Sequence, residues 1–413
     1  MKLFACVLFS LIILGLTCLS IPQNFGGNLF GATFLPKKIA NDFTEKLIAA
    51  SIWDNNKLPG DWKRIPSIDK DEVLIFAFSP IIWGHHPTSI YANYENQRLK
   101  SISLMYLDSE SFLRQNSKKS LSQESSVTIK NLFKKKYREI EEGLKKELYK
   151  HAKKSPKESF VGKTKYLRNH YLDYKIDKLT VRLAAEADNG ISLIIMRNKD
   201  LTESYLDPKI SELSTRERRQ LLEEKISLTS NGDLNITDVP IFQQGQRPYC
   251  AVNTLGMATY HIGLRMSTDA LAAGARFRYS NSAKGSKMLD LYRAAAEESG
   301  ATLQRGRSFD FNRAQKYLEK GYPIIVWRRF SYQRDKIHTA AAKGIKLPDP
   351  LSEDQSKWPT SQNDPGHASV ITGFNKKSGE VIFMESWGVN SRGKRMSAKE
   401  LEATSYATFY LKI

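Results

Sequence analysis

Between Cys250 and Lys320 the apolar residues recur at helical spacing, and from Tyr322 to Ile413 they gather into short continuous runs. That order predicts helices first and strands later, the α+β arrangement of a two-lobed domain. Val252, Leu255, Ala258, Thr259 and Ile262 fall on one helix that opens at Cys250. Pro248 stops any element before it and pre-sets its entry, and Gly263 supplies the stop. Further helices are expected over Thr268–Phe277, Lys287–Ser299 and Asn312–Lys320. Strands are expected over Ile236–Phe242, Tyr322–Phe330, His367–Phe374, Val381–Ser386 and Ala407–Ile413. Asn375–Gly379 reads as the turn of an antiparallel hairpin, and Ser331–Gly366 as a polar loop.

The first half carries different patterns. Val73–Phe78 reads as a buried strand and Ile90–Leu107 as one long strand or a hairpin. Ile129, Leu132, Phe133, Tyr137, Ile140, Leu144 and Leu148 are expected on one helix face, with Lys and Glu opposite. Thr180–Ala187 and Ile191–Arg197 flank Asp188-Asn189-Gly190, a hairpin turn sequence. A chain of 413 residues favours two domains. The expected division is a signal over 1–20, an α+β domain over 21–210, a linker or exposed helix over 211–234 and the second α+β domain over 235–413. Arg216, Arg218 and Arg219 mark the joining segment as an exposed cutting site.

Met1-Lys2 and the apolar run Leu3–Leu19 read as a secretory signal cut after Ser20, with an uncleaved membrane anchor as the alternative. Secretion or an envelope location follows from that reading. Cys6 and Cys18 would leave with the signal, so Cys250 would be the single cysteine of the mature protein, unable to form an internal disulfide. Lys plus Arg is 63 against 44 for Asp plus Glu, a net charge of +19. Such an excess suits anionic envelope surfaces, while no nucleic-acid motif is present. His85-His86 has no carboxylate or Cys joining it, and adjacent side chains point apart, so a loop is expected there and no metal or cofactor.

The chemistry gathers around Cys250. Unpaired N–H groups and the dipole at a helix start favour the thiolate, the reactive form. A thiolate that attacks an acyl carbon needs an imidazolium to protonate the leaving group, donors for the oxyanion and a group that fixes the imidazole tautomer. Among seven histidines His367 alone opens an apolar strand; His85, His86, His151, His170 and His338 lie in polar surroundings, and His261 is three turns from Cys250. Glu385, on the partner strand of the hairpin, is placed to accept a hydrogen bond from the ring, with Asp364 or Asn363 as the alternative orienters. Trp387 is placed to cover that bond, and Gln244, six residues before Cys250, to donate to the oxyanion.

Gln-Gly-x-x-x-x-Cys opening a helix, Gly-His before a strand and x-Ser-Trp-Gly after the next strand together resemble the papain superfamily of cysteine peptidases. The Tyr-Cys-Ala-Val-Asn-Thr wording is more similar to bacterial peptidase C39-like domains, kin of bacteriocin-processing peptidases. The resemblance covers about the last 180 residues. It implies a papain-like two-lobed fold, with Gln244 as oxyanion donor, Cys250 as nucleophile, His367 as base, Glu385 as orienter and Trp387 as shield. Papain has Asn, and the bacterial relatives commonly Asp, where this chain has Glu385. The implied activity is an exported thiol peptidase acting on peptides or proteins. The alternatives are a peptidoglycan amidase of the NlpC type, a transglutaminase-like acyl transferase and a dead binding module. The first half is expected to limit access to Cys250, as pro-segments do, or else to serve as an attached accessory domain.

Overall fold

The computed structural model describes residues 42–413 apart from 56–57, 59–61, 67–71, 77–79, 96, 110, 113–115, 117–122, 187–189, 245–248, 267 and 276–286. The expected signal segment, Cys6, Cys18 and most of the Asp188-Asn189-Gly190 turn lie outside the described residues. Among the described residues no helix is long and apolar enough to cross a membrane.

Two antiparallel sheets organise the described residues. The first is built from β1 (Lys63–Pro66), β2 (Glu72–Phe76), β3 (Ser89–Glu95), β4 (Arg98–Asp108), β5 (Lys157–Val161), β6 (Asn169–Ile176), β7 (Leu179–Glu186) and β8 (Gly190–Arg197). Its spatial order is β1-β2-β3-β4-β8-β7-β6-β5. Ile90–Leu107 thus resolves into the β3–β4 hairpin, and the two runs around residues 187–189 pair as β7 and β8. The helix Gln123–Ala152 lays Phe133, Tyr137, Ile140, Leu144 and Leu148 into the core of this sheet. Leu132, expected on that face, is 48% exposed. The helical period carries the buried stripe through Ile129 and Phe133 and leaves Leu132 beyond its edge. His85 lies in a loop against Gly143 of this helix, where any Cβ would fall 2.2 Å from its ring. No His/Cys/Asp/Glu cluster able to hold a metal exists among the described residues.

The second sheet contains β9 (Ile226–Leu228), β10 (Asp233–Ile236), β11 (Thr302–Gly306), β12 (Ile324–Arg329), β13 (Gly366–Asn375), β14 (Glu380–Met384), β15 (Lys394–Ser397) and β16 (Ser405–Lys412). The order is β11-β16-β12-β13-β10-β9, with β14 on β13 and β15 on β14. Alternation along the strands gives the sheet two apolar faces. Ile325, Ala407 and Phe409 pack on Val252, Leu255 and Ala258 of the helix Cys250–His261 and on Leu291 and Ala295 of the helix Met288–Glu298. Ile324, Val326 and Tyr410 pack on Ala314 and Leu318 of the helix Phe311–Leu318. The second half is therefore α+β, as the order of its patterns predicts.

Two local expectations are corrected, and of the two readings of the joining segment the helix holds. The strand expected at Ile236–Phe242 lies earlier, at Asp233–Ile236, because Pro240 has no N–H to give to a ladder. The polar loop Ser331–Gly366 contains the helix Tyr332–Ala341, whose buried face is made of Arg334, His338 and Ala341 rather than an apolar stripe. The joining segment is structured: Ser214 and Glu217 form a capping box on the helix Thr215–Glu223, and the β9–β10 hairpin pairs with β13. Arg218 is buried and donates to the Ser299 carbonyl at 2.7 Å, and Arg219 donates to the Ile413 carbonyl at 2.8 Å. Two of the three arginines expected to mark a cutting site are thus tied into the second half.

Between the halves runs a shared core, in which Val161, Leu167, Tyr171 and Tyr205 pack with Ile262, Leu264, Met266, Leu271 and Leu291. Leu206 bridges Leu264, and Arg265 N–H donates to the Tyr205 carbonyl at 2.6 Å. The buried Glu298 carboxylate accepts from the N–H groups of Lys163 and Thr164 at 2.7 and 3.3 Å. Tyr166 donates to Asp290 at 3.1 Å. The contacts around Ile262–Arg265 fall just past the C-terminal end of the helix that starts at Cys250, about 17 Å along its axis at the usual helical rise. A chain shortened to begin at Ser227 exposes this core, so it is expected to melt well below the full-length protein and to bind a hydrophobic dye. Equal melting temperatures in a thermal scan would contradict the shared core.

Candidate active site

Cys250 is the first residue of its helix, half-buried, with Tyr249 at the N-cap. His367 is the second residue of β13 and Glu385 the first after β14, so the β13–β14 hairpin brings the pair together across its open end. The ring Nε2 lies 2.7 Å from Glu385 Oε2. His367 also makes a hydrogen bond with the Cys250 thiol, and Nδ1 is the nitrogen left for it. Glu385, not Asp364 or Asn363, is the acid beside the ring: the Asp364 carboxylate accepts from Ser361 N–H, and Asn363 is exposed in the same turn.

Burial alone would raise the Cys250 pKa, but the hydrogen bond and charge of His367, with the N–H groups of Ala368 and Ala251, hold it below the ordinary thiol range. For His367, burial alone would favour the neutral ring. The Glu385 charge and the hydrogen bonds to Cys250 and Glu385 outweigh it and raise the pKa. A thiolate facing an imidazolium is the favoured state between the lowered and the raised value, and both belong to the coupled pair.

The Glu385 side chain is fully buried, and each oxygen is engaged. Oε1 accepts from Arg328 Nη2 at 2.8 Å and from Ser369 Oγ at 2.9 Å, while Arg328 Nε donates to Ser369 Oγ at 3.0 Å. Burial by itself would raise the pKa of this carboxylate; His367, then Arg328 and Lys394, keep it below the usual range. Arg328 and Ser369 carry no signal in the motif. Their trace in the sequence is an arginine and a serine at inward positions of apolar strands, Arg328 two residues after Val326 and Ser369 two after His367.

Trp387 stacks on His367, ring centroids 4.5 Å apart at 27°, and Phe330 packs on both rings. Trp387 is itself 38% exposed, so it covers one face of the imidazole while its outer face meets solvent. Lys394 Nζ lies over the Trp387 ring and pairs with Asp335, tying the helix Tyr332–Ala341 to this wall. That helix is fixed by Arg334, which bonds both Glu400 and Glu353. His338, expected in polar surroundings, is buried and shares a hydrogen bond of 3.0 Å with Glu400, the carboxylate that Arg334 also holds.

Gln244 is half-buried, and its backbone N–H donates to the Ser386 carbonyl at 2.9 Å. Its side-chain Oε1 accepts from Ser386 Oγ, which directs the amide N–H₂ end the other way. Residues 245–248, between Gln244 and Tyr249, lie outside the described residues. The structure thus gathers Cys250, His367, Glu385 and Trp387 directly, and ties Gln244 to the residue between Glu385 and Trp387.

Residues 236–413 match the model of the Peptidase_C39 like family. The resemblance read from the motif holds over that segment. Among solved structures, a candidate C39-like peptidase from Bacillus anthracis is 13% identical, with 44% of this chain and 98% of that chain covered and a TM-score of 0.30. The peptidase domain of Streptococcus ComA, a bifunctional ABC transporter of a quorum-sensing pathway, is 14% identical, with 42% and 98% covered and a TM-score of 0.28. Xylellain, a cysteine protease from Xylella fastidiosa, is 12% identical, with 47% and 88% covered and a TM-score of 0.25. No curated protein matches the chain.

Removing Arg328 leaves a buried carboxylate oxygen without its cation. Arg328→Met is therefore expected to destabilise the fold by about 3–5 kcal/mol. Urea unfolding followed by tryptophan fluorescence measures this, and a variant as stable as wild type would contradict the assigned network.

Proposed function

We propose that this protein is a thiol peptidase that cleaves peptide bonds through an acyl-enzyme on Cys250. The observation that carries the reading is the continuous chain of hydrogen bonds from the Cys250 thiol through His367 to the buried Glu385. The family match over residues 236–413 supports it.

In this reading the thiolate attacks the scissile carbonyl carbon, and the oxygen gains the negative charge. The Gln244 amide and the Cys250 backbone N–H stabilise that oxyanion. The imidazolium of His367 passes its proton to the amide nitrogen, the C–N bond breaks and the amine leaves. Water then attacks the thioester while His367 takes its proton, releasing the acid and restoring the thiolate. Glu385 holds the ring by Nε2 so that Nδ1 serves both transfers. Trp387 keeps water from one face of the ring.

Amidases and transglutaminase-like acyl transferases share the order Cys, His, acid. The tie between Gln244 and Ser386 and the stacking of Trp387 on His367 favour the peptidase among them. An intact set of charged groups, buried at a cost, speaks against a dead scaffold. The first half, docked beyond the far end of the Cys250 helix and on the helix Met288–Glu298, is read as an attached scaffold rather than a removable block. Export remains the reading for the N-terminal apolar run, with action at or outside the cell envelope.

An internally quenched peptide library tests the proposal. Cys250→Ser is expected to cut nothing, and His367→Ala to lose roughly 10²–10⁴-fold in kcat/KM. Cleavage by Cys250→Ser at the wild-type rate would contradict the assignment. Glu385→Gln is expected to retain more activity than Glu385→Ala, because an amide still bonds the ring. The pH profile has a definite sign. Wild-type activity rises as pH passes the lowered value of Cys250 and falls as pH passes the raised value of His367. Glu385→Gln removes the charge that raises His367, so its alkaline limb should move to lower pH; an unmoved limb would contradict the role given to Glu385.

A further inference from the structure

We infer that Arg329 gives this site a place for a carboxylate of the peptide substrate, so that the peptides it cuts carry an acidic group beside the scissile bond. The inference rests on the thiol-peptidase reading and names its substrate class. Two arginines follow one another on β12, and strand alternation sends them to opposite faces. Arg328 goes to Glu385 and Ser369. Arg329 shares a face with Trp327, whose Nε1 donates to Tyr292 Oη at 3.2 Å, and that hydroxyl donates to the Ala251 carbonyl at 2.9 Å. Arg329 therefore stands on the side of the sheet that holds the first turn of the Cys250 helix.

Register brings it closer to the chemistry. Arg329 pairs directly with Gly366, the residue before His367. Its guanidinium lies over the Tyr406 ring, 4.8 Å from the centroid. The Tyr406 hydroxyl in turn sits above Gly366, where a Cβ would fall 2.7 Å from it, so a side chain at 366 would displace this ring. Tyr406 is 41% exposed. Burial raises its pKa most, Arg329 opposes that and the Cys250 charge adds to it, so one ring senses both the guanidinium and the nucleophile.

The charge of Arg329 is not met among the described residues. Nη1 donates to the Asp364 backbone carbonyl at 2.9 Å, but the Asp364 carboxylate is turned to Ser361 N–H at 2.9 Å. Among the described residues no carboxylate lies within ion-pair distance of Arg329, whereas Arg182, Arg328, Arg334 and Arg395 each meet one. Arg329 is half-buried, its fork carries five N–H donors, and one of them is used by Asp364. A planar, weakly hydrated cation held against an aromatic ring, with donors to spare, is suited to a carboxylate. In a peptide that carboxylate belongs to an Asp or Glu side chain or to a free C-terminus.

The test uses full-length protein and quenched peptides in which Glu replaces Gln at each position around the cleaved bond, with free and amidated C-termini as a second series. Wild type is expected to favour the carboxylate at one position by roughly tenfold to a hundredfold in kcat/KM. The series in which this appears distinguishes side chain from terminus. In Arg329→Gln the Glu/Gln ratio should fall toward unity, in Arg329→Lys it should be intermediate, and Arg329→Glu should prefer Lys at that position. A wild type indifferent to carboxylates at every position overturns the inference by itself, even if the variants fail to fold. So does a preference that survives in Arg329→Gln. A wild type that cuts none of the peptides overturns the thiol-peptidase reading and takes this one with it.

Discussion

A carboxylate with no solvent contact has to find partners for its charge and for each of its lone pairs, and Glu385 does so with His367, Arg328 and Ser369. An isolated ionised group in the interior costs several kcal/mol, repaid only when the surrounding geometry is good. Here one oxygen is held by Arg328 and Ser369, so the other is free to face His367. Glu is one methylene longer than Asp or Asn, and the two donors to Oε1 fix the extra freedom that length brings. With the carboxylate pinned, the ring orientation follows, and with the ring fixed the thiol has an imidazolium beside it. Loss of Arg328 or His367 leaves one oxygen of a buried carboxylate without its cation.

Separate elements hold the parts of this chain of contacts. The Cys250 helix is anchored by its apolar face to β12 and β16, and its far end by Leu206, Tyr205 and Asp207 of the first half. His367 and Glu385 ride on the β13–β14 hairpin, which pairs with β12 on one side and β15 on the other. Trp387 and the helix Tyr332–Ala341 are joined through Lys394 and Asp335. Sites carried on packed strands and helices keep their geometry better than sites on loops. The first half packs against the far end of the Cys250 helix.

Much of the site was legible before folding was considered. A cysteine at a helix start, a histidine opening a strand and a glutamate one hairpin away occupy positions that strand and helix periodicities reveal. Arg328 and Ser369 were not legible, because a cross-strand pair depends on register, and no spacing in the sequence states which residues will face each other. The helix Tyr332–Ala341 escaped notice for a related reason: its buried face carries Arg334 and His338, so the apolar period that marks most helices is missing. The helix Thr215–Glu223 matches one of the two readings of 211–234, but its docking was hidden by charge, since Arg218 looks like a surface residue until Ser299 and Ile262 are seen to accept from it. Leu132 was misplaced by counting apolar residues without following the stripe round the helix.

The central claim is that Glu385 and Arg328 sustain an imidazolium that keeps Cys250 ionised. Thiolate ultraviolet absorbance, taken as the difference between wild type and Cys250→Ser across pH, reads that ionisation directly and needs no substrate. The account predicts a midpoint below the ordinary thiol value of about 8.5, and a midpoint shifted upward when His367 is replaced by Ala. A wild-type midpoint at or above the ordinary value, unchanged by loss of His367, would contradict it.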